Sequence, residues 1–442
     1  MSYLLGIDTG GTFTDAVLVQ QSDKKVLASA KSLTTRFDLS KGIGDSISRL
    51  PKDLLAQVKL VSLSTTLTTN SVVEGRGAPI CVLLAGYDET QVKNSGLIDL
   101  IGSASIVRLE GGHDASGMEV KPLDEALIKE KIKYYADKVT AFAISASFAV
   151  RNPAHEMTLK KWVTECCDKP VTCGHELASS LGAPRRALTV AMNARMISHV
   201  KDLIDAVQST LQTHQIAAPL MIVKGDGSLI NIKSAMQQPV TTVLSGPAAS
   251  VLGACAWAGT DSAIIADMGG TTTDIAVVLK GKPALSFDGA LIGQWRPMVE
   301  SIRVHAIGLG GDSELGFKGG EGFAIGPRRV VPLSLIVHQH PHLLKTLESQ
   351  SMESPHPGQM RFVQRLRADS ATLQDLSSDE KLAWEALEKG PIDIENANFG
   401  ILVTDLNGDG VVDGSDTTFL FNNTTFSTGK FHVEQLKWEI II

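Results

Sequence analysis

The sequence predicts an α/β protein built from two related domains, and two observations carry this prediction. Short apolar runs alternate with segments of helical periodicity, a pattern typical of a mostly parallel sheet wrapped by helices. One strand–turn–strand pattern occurs twice, at residues 3–19 and 263–278. The chain of 442 residues is long enough for two or three domains, and its 43% hydrophobic residues can fill their cores.

The two copies of this pattern share the order of their residue types. Each has an apolar run, an aspartate (Asp8 or Asp267), one further residue, a Gly-Gly pair, hydroxyl residues, a second aspartate (Asp15 or Asp274) and another apolar run. The copies lie a domain's length apart. We therefore infer an internal duplication of a βαβ-containing unit rather than a short tandem array.

The remaining elements follow in chain order. Strands are predicted at 60–64, 80–85, 141–145 and 220–224, and helices at 124–138, 155–167 and, most strongly, 185–211. After Pro332 the sequence predicts a loop or short helix at 338–357, an amphipathic helix at 376–387, and a segment of different character from Asn398. The expected domains are residues 1–184, 185–397 and 398–442, with the helix 185–211 as an inter-domain element.

Both repeated turns have the residue types that bind a polyphosphate. A triphosphate needs close backbone approach, inward-pointing N–H groups and hydroxyls, and a carboxylate at a strand end can bind Mg²⁺. A single Gly-Gly hairpin is more often only a tight turn, but the second copy favours phosphate binding. Asp8 and Asp267 are the candidate catalytic and Mg²⁺-binding residues. The candidate phosphate-binding residues are Thr9, Gly10, Gly11, Thr12, Gly269, Gly270, Thr271, Thr272 and Thr273.

Composition excludes several other classes of protein. Lysine and arginine are scattered and the net charge is -7, so no nucleic-acid partner is expected. No apolar stretch is long enough for a membrane span, and the N-terminus reaches Asp8 too early for a signal peptide. Five cysteines without a CxxC pair are expected to be mainly buried thiols, and a cytoplasmic location is expected.

The hairpin sequences GIDTGGTFTDAVLV and ADMGGTTTDIAVV resemble the two phosphate motifs of the actin–hexokinase–heat-shock chaperone superfamily. The second motif, followed by Gly308–Ser313, is more narrowly similar to the hydantoinase/oxoprolinase A family. Other segments similar to that family's motifs follow in order, at 64–74, 152–156, 175–176, 193–194, 245–248 and 326–329. The resemblance fades after Arg329, and we find no match to the family's later glycine-rich adenosine loop.

The resemblance implies duplicated ribonuclease H-like domains, the actin-like ATPase fold, around an ATP cleft. It implies an ATP- and Mg²⁺-dependent hydrolase that opens a cyclic amide after phosphoryl transfer to its carbonyl oxygen. The family's substrates include 5-oxoproline, hydantoins, acetone and acetophenone. A B-type partner subunit and an oligomer are also implied. A small-molecule kinase of the same fold, or a catalytically weak regulatory subunit, stays open as an alternative.

Further polar residues have two interpretations each. Gly310 and Gly311 either offer N–H groups to an anion or form a turn that lets the two domains approach. Asn152, His155 and Glu156 form either a helix cap with a solvated histidine or a substrate contact. Residues 65–74 are either a cleft wall or strand-end hydroxyls bonded to local backbone. His175 and Glu176 are an acid/base pair or an unremarkable loop.

Near the C-terminus, one segment matches the ligand order of a calcium-binding loop. Oxygen ligands occupy positions 1, 3, 5, 9 and 12, glycine occupies position 6, and a backbone carbonyl is available at position 7. An Asp/Gly/Asn-rich turn without metal is the alternative. The candidate Ca²⁺ ligands are Asp405, Asn407, Asp409, Val411, Asp413 and Asp416.

Overall fold

The computed structural model divides the chain into two compact units. The first contains Met1–Asp267 and Ile275–His305, and the second contains Met268–Asp274 and Ala306–Ile442. No helix among the described residues is both long and apolar enough to cross a bilayer. The structure describes residues 2–11, 13–35, 38–66, 69, 77–259, 261–270, 272–318, 322–354, 359–365, 385–393 and 438–441.

A six-stranded mixed sheet of the first unit contains the first copy of the repeated pattern. Its strand order is β10-β9-β4-β1-β2-β3, in which β1, β2 and β3 form an antiparallel meander and β4 and β9 run parallel to β1. One face of β1 is buried at every second residue, which is the alternation expected of a half-covered sheet. The strands are Tyr3–Thr9 (β1), Phe13–Gln20 (β2), Val26–Leu33 (β3), Val58–Thr65 (β4), Leu220–Val223 (β9) and Leu229–Asn231 (β10).

A second sheet of the first unit is entirely parallel, in the order β6-β5-β7-β8. Its central strands β5 and β7 are buried at every position, as expected when helices cover both faces. The strands are Ile80–Ala85 (β5), Ile106–Leu109 (β6), Ala141–Ala146 (β7) and Val171–Cys173 (β8). The α-helices among the described residues of this part of the first unit are Leu39–Ser48, Lys52–Leu55, Glu89–Lys93, Leu97–Ile101, Glu125–Ala136, Ala154–Cys166 and Gly174–Leu177.

The longest helix, Ala183–Thr213, packs on both sheets of the first unit. Its first half contributes Ala187 to Met196 to one apolar core, and its second half contributes Val200 to Leu211 to the other. The sequence predicted this helix at 185–211, so its existence is confirmed and its ends differ by two residues. Proline in its first turn supports the start, because the N–H groups there have no partner within the helix.

The second copy of the repeated pattern also forms two strands, β11 (Ala263–Met268) and β12 (Thr273–Leu279). They belong to a four-stranded sheet with β13 (Lys282–Pro283) and β16 (Val304–Ile307). The helix Ser245–Ala258 precedes β11, and its apolar residues pack with Ala276 and Val278 of β12. The remaining elements of the first unit are the helix Ile232–Gln237 and the paired strands Leu285–Ser286 (β14) and Ser301–Ile302 (β15).

The second unit consists of short elements after its share of the repeated pattern. Two strands pair as an antiparallel hairpin, and three further strands form a small sheet. Its elements are Ser313–Lys318 (β17), Gly322–Arg329 (β18), the helices Leu333–Gln339 and Leu343–Gln350, Phe362–Arg365 (β19), Ile392–Asp393 (β20) and Trp438–Ile441 (β21).

The strands and helices predicted up to residue 224 are confirmed, with ends that shift by one or two residues. The segment 338–357 contains the helix Leu343–Gln350, in agreement with the short-helix alternative. The predicted helix 376–387 lies mostly outside the described residues, as does the calcium-loop sequence at 405–416. The domain boundaries at 184/185 and 397/398 stay predictions.

Candidate functional site

A row of four polar side chains crosses the first sheet near the carboxyl end of β1. Asp8 on β1 lies opposite Asp15 on β2, and Asp15 lies opposite Lys31 on β3. On the other side of β1, Asp8 lies opposite Ser64 on β4. Residues in register on adjacent strands point to the same face of a sheet, so this row forms one polar strip.

Direct contacts hold the strip together. The hydroxyl of Ser64 donates a hydrogen bond of 2.6 Å to Oδ1 of Asp8. At the other end, Nζ of Lys31 lies 3.1 Å from Oδ2 of Asp15 and forms an ion pair with it. Lys31 therefore forms its ion pair with Asp15, and the nearest partner of Asp8 is the hydroxyl of Ser64 rather than a cation.

The carboxyl group of Asp8 is electrostatically strained. Burial is the largest influence and raises the pKa of Asp8, while the hydrogen bond from Ser64 lowers it. The charges of Asp15 and Asp267 raise this pKa and that of Lys31 lowers it, and the net result is a pKa above the ordinary value. Asp8 and Asp267, the two predicted Mg²⁺ ligands, therefore interact electrostatically within the first unit.

The N-terminus of the helix Ser245–Ala258 lies against Asp8. The hydroxyl of Ser245 donates to the carbonyl of Thr65 at 3.0 Å and accepts from its N–H at 3.1 Å, which fixes the first turn of the helix on the end of β4. A Cβ atom on Gly246 would lie 2.8 Å from Cγ2 of Thr66 and 3.5 Å from Oδ1 of Asp8. Glycine at 246 thus lets the positive end of this helix dipole approach the carboxylate.

The first Gly-Gly turn is closed by a short backbone bond. The N–H of Gly10 donates to the carbonyl of Phe13 at 2.9 Å. Thr9 Oγ1 is buried and has no hydrogen-bond partner among the described residues. Gly11 follows in the turn, and Thr12 lies outside the described residues.

The second Gly-Gly turn has the same closure. The N–H of Gly269 donates to the carbonyl of Thr272 at 2.9 Å, at the positions that correspond to Gly10 and Phe13. The backbone of this turn is also hydrogen-bonded to the segment that contains Gly310. The N–H of Gly311 donates to the carbonyl of Gly269 at 3.0 Å. Thr273 donates its hydroxyl to the carbonyl of Leu309 at 2.6 Å.

A second backbone bond joins the same two segments, because the N–H of Asp312 donates to the carbonyl of Gly270 at 2.8 Å. In the second unit, Gly269 and Gly270 therefore lie together with Gly310 and Gly311. Thr271 lies outside the described residues. In the sequence the two glycine pairs are 41 residues apart (269 to 310) and form separate motifs. Their backbone bonds show that they form one folded group of turns.

The residues around Asp8 fit a divalent cation. The charges of Asp15 and Asp267 act unfavourably on the ionised form of Asp8, and the charge of Lys31 acts in the opposite direction. Carboxylate oxygens are the ligands that Mg²⁺ prefers, and a bound cation would relieve both the burial and the repulsion of Asp8. Asp8 and Asp267 are the residues that would hold it.

His175 is bonded to Glu156 rather than to Glu176, which corrects one interpretation of the sequence. Nδ1 of His175 lies 2.6 Å from Oε2 of Glu156, whose side chain is 0% exposed. The same oxygen accepts the N–H of His175, and Oε1 accepts the N–H of Ala146. The hydrogen bond that His175 makes to Glu156 is the main cause of a raised His175 pKa. Glu176 instead pairs with Lys160 at 2.6 Å.

The neighbouring His155 is not solvated, contrary to one interpretation of its position. It is 5% exposed, its Nδ1 accepts the N–H of Gly112 at 2.9 Å, and its Nε2 lies 2.7 Å from Glu119. The N–H acceptor role of Nδ1 places the ring proton on Nε2, toward the carboxylate. Asn152 lies one residue before Pro153, the N-cap of the following helix, and its side chain accepts the N–H of Ala154 at 3.1 Å.

Two models of one protein family match this chain, and together they cover most of the first unit and part of the second. Residues 4–167 match the hydantoinase/oxoprolinase N-terminal region, and residues 186–332 match hydantoinase/oxoprolinase. The chain belongs to the hydantoinase/oxoprolinase family. Ser64 and Gly246 lie within segments that resembled this family, although the sequence alone assigned neither residue a role.

Relatives of this hydantoinase/oxoprolinase chain include subunits of larger enzymes. The caprolactamase subunit alpha of Pseudomonas jessenii is 29% identical over 337 residues, which cover 70% of this chain and 48% of that protein. The acetophenone carboxylase gamma subunit of Aromatoleum aromaticum is 25% identical over 364 residues, which cover 73% and 49%. The chain therefore spans about half the length of the curated relatives it matches.

A solved structure supports the α/β fold with mixed sheets. The crystal structure of the ATP-dependent caprolactamase from Pseudomonas jessenii superposes with a TM-score of 0.63 at 25% identity. The superposition covers 83% of this chain and 56% of that chain.

Proposed function

We propose that this chain carries the nucleotide centre of an ATP-dependent hydrolase that opens a cyclic amide. The observation that carries the proposal is the environment of Asp8: a carboxyl group with a raised pKa, repelled by Asp15 and Asp267 and approached by the first turn of a helix. A divalent cation with a phosphate group would balance these charges. Membership of the hydantoinase/oxoprolinase family supports the cyclic amide as substrate class.

In the proposed mechanism each part of the centre has one role. Asp8 and Asp267 would hold Mg²⁺, which would neutralise phosphate charge. Each of the two glycine turns, at residues 9–12 and at 269–273 with Gly310 and Gly311, is proposed to bind phosphate oxygens. The N–H groups of Gly10, Gly269 and Gly311 close the turns themselves, so other groups bind the phosphate, such as the hydroxyl of Thr9, which has no partner among the described residues. Ser64 keeps Asp8 oriented and favours its charged form.

The chemistry follows from the weakness of an amide as an electrophile. Transfer of the terminal phosphoryl group of ATP to the amide oxygen leaves ADP and converts that oxygen into a better leaving group. Water then attacks the activated carbon, and the C–N bond of the ring breaks to give an amino group and an acyl phosphate. A second water molecule hydrolyses the acyl phosphate to a carboxylate and inorganic phosphate. Each ring opening thus consumes one ATP and two water molecules.

The finer architecture and the partners are also proposals. The repeated hairpin with the same backbone closure supports duplicated ribonuclease H-like domains of the actin-like ATPase type. The caprolactamase and acetophenone carboxylase relatives are named as subunits, which supports a B-type partner subunit and an oligomeric enzyme for this chain.

The decisive experiment measures nucleotide binding and turnover separately. Calorimetry should show binding of Mg·ATP by the purified chain, and ATP hydrolysis should rise when 5-oxoproline or a hydantoin is added with the partner subunit. Asp8→Ala and Asp267→Ala should abolish hydrolysis while the circular dichroism spectrum is retained. Unchanged turnover in both variants would remove the assignment, accumulation of a phosphorylated substrate would indicate a kinase, and an absence of nucleotide binding would indicate a regulatory subunit.

A further inference from the structure

The first unit contains a polar cavity of ≈ 470 Å³, and none of the residues assigned above lines it. Its volume lies within the range of sites for small organic molecules. Serine and threonine hydroxyls line part of the wall, and the rest is apolar or charged. The charged residues at this wall are Arg185, Lys224 and Glu300, and Phe287 and Met298 are among the apolar ones.

The position of Lys224 relates this cavity to Asp8. Lys224 directly follows β9, which runs parallel to β4, and Leu63 of β4 lies opposite Ile222 of β9. Because β1, β4 and β9 all run in the same direction, their carboxyl ends lie at one edge of the sheet. Two strand spacings separate Lys224 from β1, a distance of about 10 Å. Lys224 and the carboxyl end of β1 therefore lie at the same edge of the sheet.

The loop that carries Lys224 is held rigidly. The N–H of Gly225 donates to the carbonyl of Thr241 at 2.8 Å, and the carbonyl of Gly225 accepts from Ile302 at 2.8 Å. A Cβ atom at this position would lie 2.2 Å from the carbonyl oxygen of Val243, so only glycine fits. A preformed wall of this kind is typical of a ligand site.

The two positive charges at the cavity wall differ in their partners among the described residues. Nζ of Lys224 lies 2.8 Å from Asp226 and is neutralised by it. Arg185 donates Nε to the carbonyl of Arg296 at 3.2 Å and Nη2 to the carbonyl of Asp288, but it forms no ion pair with any described carboxylate. Its charge is thus available to a ligand. A carboxylate is the group that a guanidinium binds most strongly and most directionally.

We propose that this cavity binds the organic substrate, and that the substrate is a small cyclic amide carrying a carboxylate group. The carboxylate is bound by Arg185, the ring lies against Phe287 and Met298, and the carboxylate of Glu300 accepts the ring N–H. Arg185 is then the residue that separates acidic from uncharged cyclic amides. The inference rests on the proposed function, because it takes the cyclic amide as the substrate class.

Two matched pairs of compounds test the inference by calorimetry on the full chain without nucleotide. Each pair keeps the ring and removes the carboxylate: 5-oxoproline against 2-pyrrolidinone, and hydantoin-5-acetic acid against 5-methylhydantoin. At least one acid should bind about tenfold or more tightly than its uncharged counterpart, the effect expected of one charge-assisted bidentate contact. Absence of binding by both acids, or equal binding of acid and uncharged compound, overturns the inference.

Variants separate the charge of Arg185 from its structural bonds. Arg185→Gln should weaken binding of the acid about tenfold and leave the uncharged compound unaffected, whereas a loss of fold would weaken both. Ser180→Trp fills the cavity from an exposed wall position without removing a side-chain hydrogen bond, and should abolish binding of both. Arg108→Gln, on β6 away from the cavity, is the control and should match the parent chain.

The same variants show which proposal has failed. Mg·ATP binding should be unchanged in Arg185→Gln and Ser180→Trp, because neither residue belongs to the phosphate centre. Loss of selectivity for the acid in Arg185→Gln with intact nucleotide binding supports the inference. Acid binding that both variants leave unchanged, together with normal nucleotide binding, overturns the cavity while the proposed function stands. Absence of nucleotide binding by the parent chain overturns the proposed function instead.

Discussion

Ser64 donates a hydrogen bond of 2.6 Å to the carboxylate of Asp8 across the parallel pair of β4 and β1. A donor hydroxyl stabilises the charged form of a carboxyl group without adding a positive charge that would compete with a bound cation. Since burial raises the pKa of Asp8, Ser64 is the nearest group that opposes this effect. The geometry leads to predictions about stability and about the pH dependence of activity.

Replacement of Asp8 should stabilise the protein while it removes activity. A carboxyl group with a raised folded-state pKa favours folding below that pKa, and this contribution is lost as the pH rises through it. Asp8→Asn should therefore raise the free energy of unfolding at pH 7 by about 1 kcal/mol, with a smaller gain near pH 4. Urea unfolding at both pH values measures this. Asp205→Asn, on an exposed helix position, is the control, and a less stable Asp8→Asn at pH 7 would contradict the prediction.

Loss of the Ser64 hydroxyl should shift the pH profile of ATP hydrolysis. Without its hydrogen bond the pKa of Asp8 rises further, so a higher pH is needed to ionise it. In Ser64→Ala the acidic limb should move up by about 0.7 pH unit, the equivalent of a hydrogen bond worth about 1 kcal/mol. Ser62→Ala, two residues earlier on β4 and opposite Gly6, should keep the parent profile. Coincident profiles for Ser64→Ala and the parent would show that Asp8 does not control this limb.

Replacement of two glycines of the helix Ser245–Ala258 by alanine should change the stability of the protein in opposite directions. In Gly246→Ala the new Cβ would lie 2.8 Å from Thr66 and 3.5 Å from Asp8, which should cost about 1–3 kcal/mol and weaken Mg·ATP binding. At Gly253, in the same helix, a new Cβ would have no atom within 4 Å, so Gly253→Ala should add about 0.5–1 kcal/mol of helix stability. Thermal unfolding and nucleotide titration of both variants check this. Equal behaviour of the two would mean that the helix does not approach Asp8 as closely as described.

The buried Glu156 should contribute more to stability than the exposed Glu176. Glu156 accepts two backbone N–H groups and the ring of His175, and an amide side chain cannot accept all three. Glu156→Gln should therefore cost about 3 kcal/mol or more, whereas Glu176→Gln should cost less than about 1 kcal/mol. Chemical denaturation of the two variants gives the comparison. A loss of stability in Glu176→Gln as large as that in Glu156→Gln would favour the pairing of His175 with Glu176 instead.

The cost of Glu156→Gln should also depend on pH. A histidine with a raised folded-state pKa stabilises the fold fully below its unfolded pKa of about 6.5, and this contribution is lost as the pH rises through the folded value. The difference in unfolding free energy between the parent and Glu156→Gln should therefore be larger at pH 6 than at pH 9. A difference that is the same at both pH values would show that Glu156 does not raise the pKa of His175.

Much of the fold was predictable because its signals are local. The parallel strands Ile80–Ala85 and Ala141–Ala146 are continuous apolar runs, and the long helix has a 3.6-residue period, so neighbouring residues suffice to define them. Helix ends were less accurate, since caps and first turns depend on bonds to other segments. The predicted pairing of His175 with Glu176 is wrong for a related reason: Glu176 is adjacent in sequence, but its side chain pairs with Lys160, whereas Glu156 is hydrogen-bonded to Nδ1 of His175.

The sequence by itself determined the repeated strand–turn–strand hairpin and the aspartate next to the end of each first strand, because turn chemistry and apolar alternation act over a few residues. Only the tertiary structure decided what surrounds Asp8. Ser64 is 56 residues away along the chain, and Gly246 is farther still. Sheet register and helix packing bring them to one carboxyl group, and the burial and charges that raise its pKa exist only once those elements have assembled.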